Sequence, residues 1–113
     1  MAEDLTRIFS KHGRVEELLL DDRFQEHLSE RSRYDKHTVS LTEVLQVHAN
    51  SPKYYLNGDL RPGRAPIAMV GPTYAGRILC IPIEPTEHLG VWRPKTAFEA
   101  NAHHTSRYME KQQ

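Results

Sequence analysis

The sequence predicts an α+β domain, with an N-terminal strand and helices, a three-stranded antiparallel meander and a C-terminal helix. Three observations carry this. Helical spacing of apolar residues and two capping signals fall in the first half of the chain. Three apolar runs separated by short turn-rich segments follow in the second half, and short loops between strands imply antiparallel neighbours. At 113 residues with 38% hydrophobic content, the chain has material for one core, so residues 1–113 are read as a single domain.

Leu5, Ile8 and Phe9 recur at helical spacing, and Gly13 is placed to end that helix at positive φ. Residues 15–20, Val-Glu-Glu-Leu-Leu-Leu, are too few for a helix of their own and read as a strand. Asp22 followed by Gln25 is a variant capping box opening a helix over residues 23–33, with Phe24 and Leu28 one turn apart on its buried side. A second box, Ser40 with Glu43, opens a helix whose stripe is Leu41, Val44, Leu45 and His48. Ser51-Pro52 stops it, because proline disfavours helical geometry in the residue before it.

Residues 53–64 read as loop, with two turn signals in succession from Asn57 onward. The apolar runs at 66–70, 77–83 and 91–97 are the strands of the meander. Pro82 and Pro94 lack a ladder donor, which confines them to strand ends, bulges or outward-facing positions. Thr96 with Glu99 forms a third box, and Phe98, Ala102, Thr105, Tyr108 and Met109 mark one face of a closing helix.

Charge narrows the function. Fifteen Lys+Arg balance 15 Asp+Glu, so no net field draws the chain toward nucleic acid, and any such binding needs a local patch. The portion after Asn57 is the basic one, with 7 basic against 5 acidic residues. Cys80 is the single cysteine, which excludes an internal disulfide and CxxC chemistry. In an apolar strand its default state is a buried, inert thiol. The first residues are acidic where a secretory signal is basic, and no apolar run spans a bilayer, so the expected location is the cytoplasm, with no membrane partner.

Three stretches resemble the BrnT-type toxins, small ribonucleases of bacterial toxin–antitoxin pairs within the RelE-like group. They are Lys36-His37-Thr38-Val39-Ser40 with Glu43-Val44, the segment Ala75-Gly76-Arg77-Ile78-Leu79-Cys80-Ile81, and Val91-Trp92-Arg93-Pro94-Lys95-Thr96-Ala97. The resemblance spans roughly residues 15–110. It implies a RelE/BrnT-like core over 15–113 behind an extension at 1–14, metal-independent endoribonuclease activity without a cofactor, RNA as substrate, and a cognate antitoxin protein as partner. A homodimer or a toxin–antitoxin hetero-oligomer is the implied assembly. The chain departs from the family in carrying Ala97 and Phe98 where a second arginine is usual, and Asn101-Ala102-His103-His104 in place of a polybasic final helix.

RNA cleavage without a metal uses the 2′-hydroxyl as nucleophile, so the protein supplies proton transfer and positive charge for the phosphate. Arg93 and Lys95 share a strand face by period two, and Arg77 begins the neighbouring strand, so these three are the expected phosphate-holding cations. The alternative is that they decorate a solvated sheet face. His37, His103, His104 and Tyr108 are the candidate proton carriers. His103 and His104 point about 100° apart on a helix, so at most one faces a site. Their alternative is a solvated or capping role. Lys53, Tyr54, Tyr55 and Arg64 are the expected RNA-binding set, by stacking and charge, or else anchor their loop or meet a protein. Trp92, opposite in phase to Arg93, belongs to the core. Seven histidines lack zinc-site spacing, so no metal site is assigned. Two further functions stand beside the ribonuclease: a non-catalytic RelE/BrnT-like protein-binding module and a nucleic-acid-binding regulator.

Overall fold

The computed structural model describes residues 4–31, 38–57 and 65–110, without the side chains of Arg31, His103, His104, Arg107 and Glu110. The elements run α1 (Leu5–His12), β1 (Glu17–Leu18), α2 (Asp22–Arg31), α3 (Leu41–Ala49), β2 (Lys53–Leu56), β3 (Ile67–Pro72), β4 (Ile78–Pro85), β5 (Val91–Pro94), β6 (Phe98–Glu99) and α4 (Ala102–Glu110). The sheet has the order β1-β5-β4-β3-β2, with β6 beside β4. The β2, β3, β4, β5 succession is antiparallel, whereas β1 lies parallel to β5. The α+β class and the meander are therefore as expected, within a sheet of six strands.

Both sheet faces are covered, which the alternation of side chains along β3 and β4 requires once nearly all of them, Glu84 excepted, are apolar. Ile67, Met69, Leu79, Ile81 and Ile83 point to one face and pack with Trp92, Val44 and Val47 of α3, Phe24 and Leu28 of α2, and Ile8 of α1. Ala68, Val70 and Cys80 point to the other face and pack with Tyr55 and Tyr108. Because Ile8 is 5% exposed, α1 shares the main core rather than trailing from it as an extension.

Several elements differ from the sequence expectation. Lys53–Leu56 is a strand, not a loop, paired with β3 from Lys53↔Val70 to Leu56↔Ile67; four residues are too short to show period two. The α2 cap is Asp21, not Asp22: Asp21 Oδ1 accepts the Phe24 N–H at 3.0 Å, and the Gln25 side chain reaches the Leu20 carbonyl instead of closing a box. In α3 the Ser40–Glu43 box is present, but Val44 and Val47 are buried and Leu45 faces out. The third box is absent. Phe98 and Glu99 pair with Cys80 and Leu79 as β6, because Phe98 packs on the second face of the sheet, and α4 starts at Ala102. Within α4, Tyr108 is buried and Met109 exposed.

Pro82 marks a bulge. Between the pairs Ile83↔Pro94 and Leu79↔Glu99, β4 advances four residues while the facing chain advances five. The extra residue lies within 95–97, where Lys95 N–H donates to the Pro82 carbonyl at 2.8 Å. Proline sits there without losing a ladder bond that a regular strand would need.

The α1 exit is held by glycine. Gly13 has φ +81 and ψ 163, a region open only to glycine, and a Cβ there would stand 2.7 Å from the Gly90 backbone nitrogen. Its carbonyl accepts the Trp92 indole N–H at 3.1 Å. Gly13→Ala is expected to lower stability by on the order of 2 kcal/mol, read as a shift in urea midpoint with unchanged slope; an unchanged midpoint would contradict this placement.

Candidate functional site

The cap of α2 and the end of β5 build a polar cleft. Having capped α2 with Oδ1, Asp21 turns Oδ2 to Arg93 Nε at 3.1 Å. Arg93 Nη1 lies 3.6 Å from Glu84 Oε1, and Lys95 Nζ lies 3.7 Å from the same oxygen. Arg93 is opposite Glu84 in the ladder, and Lys95 follows two positions on, so period two brings both cations to one carboxylate as expected. Asp21, Arg23, Phe24, His27, Glu84, Arg93, Pro94 and Lys95 line the resulting cavity of about 260 Å³. Arg23, Arg93 and Lys95 against Asp21 and Glu84 leave one formal positive charge there.

His27 closes the cleft from α2. Its Nε2 lies 2.8 Å from Thr96 Oγ1, in the segment displaced by the bulge. Thus the irregularity at Pro82 places a hydroxyl against the helix. The helical stripe flagged Phe24 and Leu28 but gave His27 no role; its partner is 69 positions away, beyond any local pattern.

Arg77 does not join these cations. It precedes Ile78, the first residue of β4, while Arg93 pairs with Glu84 near the other end, roughly 20 Å along the strand. Its guanidinium donates to the Thr38 carbonyl at 3.0 Å and to both Glu43 oxygens at 3.1 and 3.3 Å, with Glu99 at 3.6 Å. The expected convergence of Arg77, Arg93 and Lys95 on one phosphate is therefore not found. Arg77 ties the N-terminus of α3 to the sheet. Burial on its own would raise the Glu43 carboxyl, but the Ser40 backbone N–H and the Arg77 guanidinium outweigh it and hold Glu43 below the usual range.

The other expected residues are dispersed. Tyr108 is packed against Val70, Cys80 and Tyr55, where its ring serves the core. Tyr54 stacks edge-on against Phe9 at 5.5 Å, and burial pushes its hydroxyl up to about 12. Tyr55 is 4% exposed on the opposite face, so neither ring is presented for base stacking. Lys53 begins β2 beside them. His37 and Arg64 lie outside the described residues, as does the His104 side chain. Cys80 is buried and its thiol is pushed up to about 11 by desolvation, the inert state expected. Among the described residues no three of His, Cys, Asp and Glu gather as a metal-binding group, and no helix is long and apolar enough to cross a membrane. No protein-family model, curated protein or solved structure matches the chain.

Glu43 offers a direct test. A carboxyl depressed in the folded state contributes stability that is present above its unfolded value, near 4.5, and is lost as pH falls through the folded value. Glu43→Gln is expected to cost on the order of 1 kcal/mol at pH 7 and to flatten the loss of stability below pH 5. Parallel acid dependences of the two chains in urea melts would contradict the Arg77–Glu43 assignment.

Proposed function

We propose that this protein is a metal-independent endoribonuclease of the BrnT/RelE-like toxin type, acting on RNA at the cleft between α2 and the end of β5. The observation that carries the reading is the convergence of Arg93, Lys95 and His27 on one cavity of about 260 Å³. Cleavage by an internal 2′-hydroxyl needs cationic groups where charge builds on the phosphate and a proton carrier beside them. Both kinds of group line this cleft. Asp21 and Glu84 hold Arg93 and Lys95 in place, so a phosphate entering the cleft meets cations already oriented and shares them with the carboxylates.

The likeness of residues 91–97 to the last strand of BrnT-type toxins supports the same reading, and so does the α+β architecture with its meander. On this reading Arg77 is a structural strut, and the cognate antitoxin protein covers the cleft. A second reading, a non-catalytic protein-binding module, is favoured by the near-neutral balance of the cleft, where two carboxylates already stand beside Arg93 and Lys95.

RNA incubated with the purified chain in chelator separates them. Cleavage is expected, with loss of about 100-fold in Arg93→Ala and an unchanged melting temperature. Intact RNA favours the binding module; RNA retained in a shift assay but uncut favours a nucleic-acid-binding regulator. Full activity in a folded Arg93→Ala chain contradicts the assignment of the cleft.

A further inference from the structure

The His27–Thr96 contact has chemistry beyond packing. Of the described residues, Thr96 alone bonds the His27 ring, through Nε2 at 2.8 Å, while the imidazole forms part of the cleft wall with Arg93 and Lys95. A threonine hydroxyl both donates and accepts. When Nε2 is bare, Thr96 O–H donates to it and the proton resides on Nδ1. When Nε2 carries the proton, it donates to Thr96 Oγ1 and Nδ1 holds a lone pair. The ring therefore keeps one position in either tautomer and as imidazolium. A carbonyl or carboxylate partner, which only accepts, would exclude the state in which Nε2 is bare.

We infer that His27 is the catalytic proton carrier of the cleft and that Thr96 is its positioning residue, an assignment that rests on the ribonuclease reading. In the step this supports, His27 takes the proton of the 2′-hydroxyl as O2′ bonds to phosphorus. The P–O5′ bond breaks, and the proton passes from the imidazolium to the departing O5′. The products are a 2′,3′-cyclic phosphate and a 5′-hydroxyl, with no co-reactant. Arg93 and Lys95 stabilise the charge on the non-bridging oxygens. Asp21, Arg23, Glu84, Arg93 and Lys95 are the charged groups lining the same cleft.

The position of Thr96 favours this role over simple capping. It lies in the stretch of residues 95–97 that holds the extra residue opposite β4, and Lys95, next to it, is itself a cleft residue. The bulge thus delivers a phosphate-holding cation and the orienting hydroxyl on successive residues, with α2 supplying the histidine.

The experiment follows cleavage of a single-stranded oligoribonucleotide in chelator by the full chain and by His27→Asn, Thr96→Val and Thr96→Ser. His27→Asn is expected to lose about 100-fold in rate. Thr96→Val should lower kcat at least about tenfold with KM little changed, and Thr96→Ser should restore it, a rescue that a methyl-packing role would not produce. Cleavage by the unsubstituted chain together with full activity in folded His27→Asn overturns this inference and leaves the ribonuclease reading standing. No cleavage by the unsubstituted chain overturns both. Should His27→Asn fail to fold, imidazole nitrogen NMR of the unsubstituted chain with uridine 2′,3′-cyclic phosphate decides: His27 signals that move support the assignment, and signals that stay fixed overturn it.

Discussion

The strand β4 changes partner at Pro82, and the rest of the architecture follows from that change. One edge of β4 pairs with β3 from Ile78 to Ile83. The other pairs with β5 at one end and with β6 at the other, with one extra residue between. A regular ladder would carry residues 95–97 straight along β4, their side chains alternating across the sheet. Lys95 reaches Glu84 on the side of Arg93 as the alternation alone provides, whereas the bulge lets Thr96 turn to His27 and Ala97 stays in the core. Phe98 then re-enters the sheet on the face opposite to Trp92. Proline at this position stabilises the change because it offers no N–H to a competing regular pairing.

Charge in this protein is organised as local pairs. The chain carries equal numbers of acidic and basic residues, and the described arginines of the sheet sit against carboxylates: Arg77 with Glu43 and Glu99, Arg93 with Asp21 and Glu84. The two sets have different surroundings. Around Arg77, the Glu43 carboxylate also completes a capping box and the guanidinium donates to the Thr38 carbonyl, so the group is spent on joining α3 to β4. Around Arg93 the carboxylates border an open cavity, and the Arg93 and Lys95 side chains stay partly exposed. Partly exposed pairs of this second kind contribute little stability.

What was legible in the sequence was whatever repeats locally. The Ser40–Glu43 box, the Gly13 terminus, the inward Trp92 and the apolar runs of β3 and β4 declare themselves within a few residues, by capping, conformational freedom or period. Strand β2 did not, since Lys53-Tyr54-Tyr55-Leu56 buries Tyr55 on one face and half-buries Tyr54 on the other, and shows no polar alternation. Phe98 and Glu99 carry helix-start chemistry with Thr96, yet the vacant edge of β4 beside Leu79 and Cys80 overrides that preference. The pairing of Arg93 with Lys95 was visible by period two. The His27–Thr96 contact was not, because the hydroxyl reaches the ring only through the register shift at Pro82, and no local pattern encodes a bulge across the sheet. Arg77 was misplaced for the same reason: sequence gives the start of a strand but not which neighbour stands beside it.

On the proposed ribonuclease reading, the bulge after β5 and the cap of α2 build one RNA-phosphate site. Backbone amide NMR with a 2′-O-methyl oligoribonucleotide, which binds but lacks the attacking hydroxyl, tests it most directly. The amides of Asp21, Phe24, His27, Glu84, Arg93, Lys95 and Thr96 are expected to shift together, and the shifts should fade with added salt. Unmoved amides around this cleft at saturating oligonucleotide, or shifts confined to the β2 edge, would contradict the account.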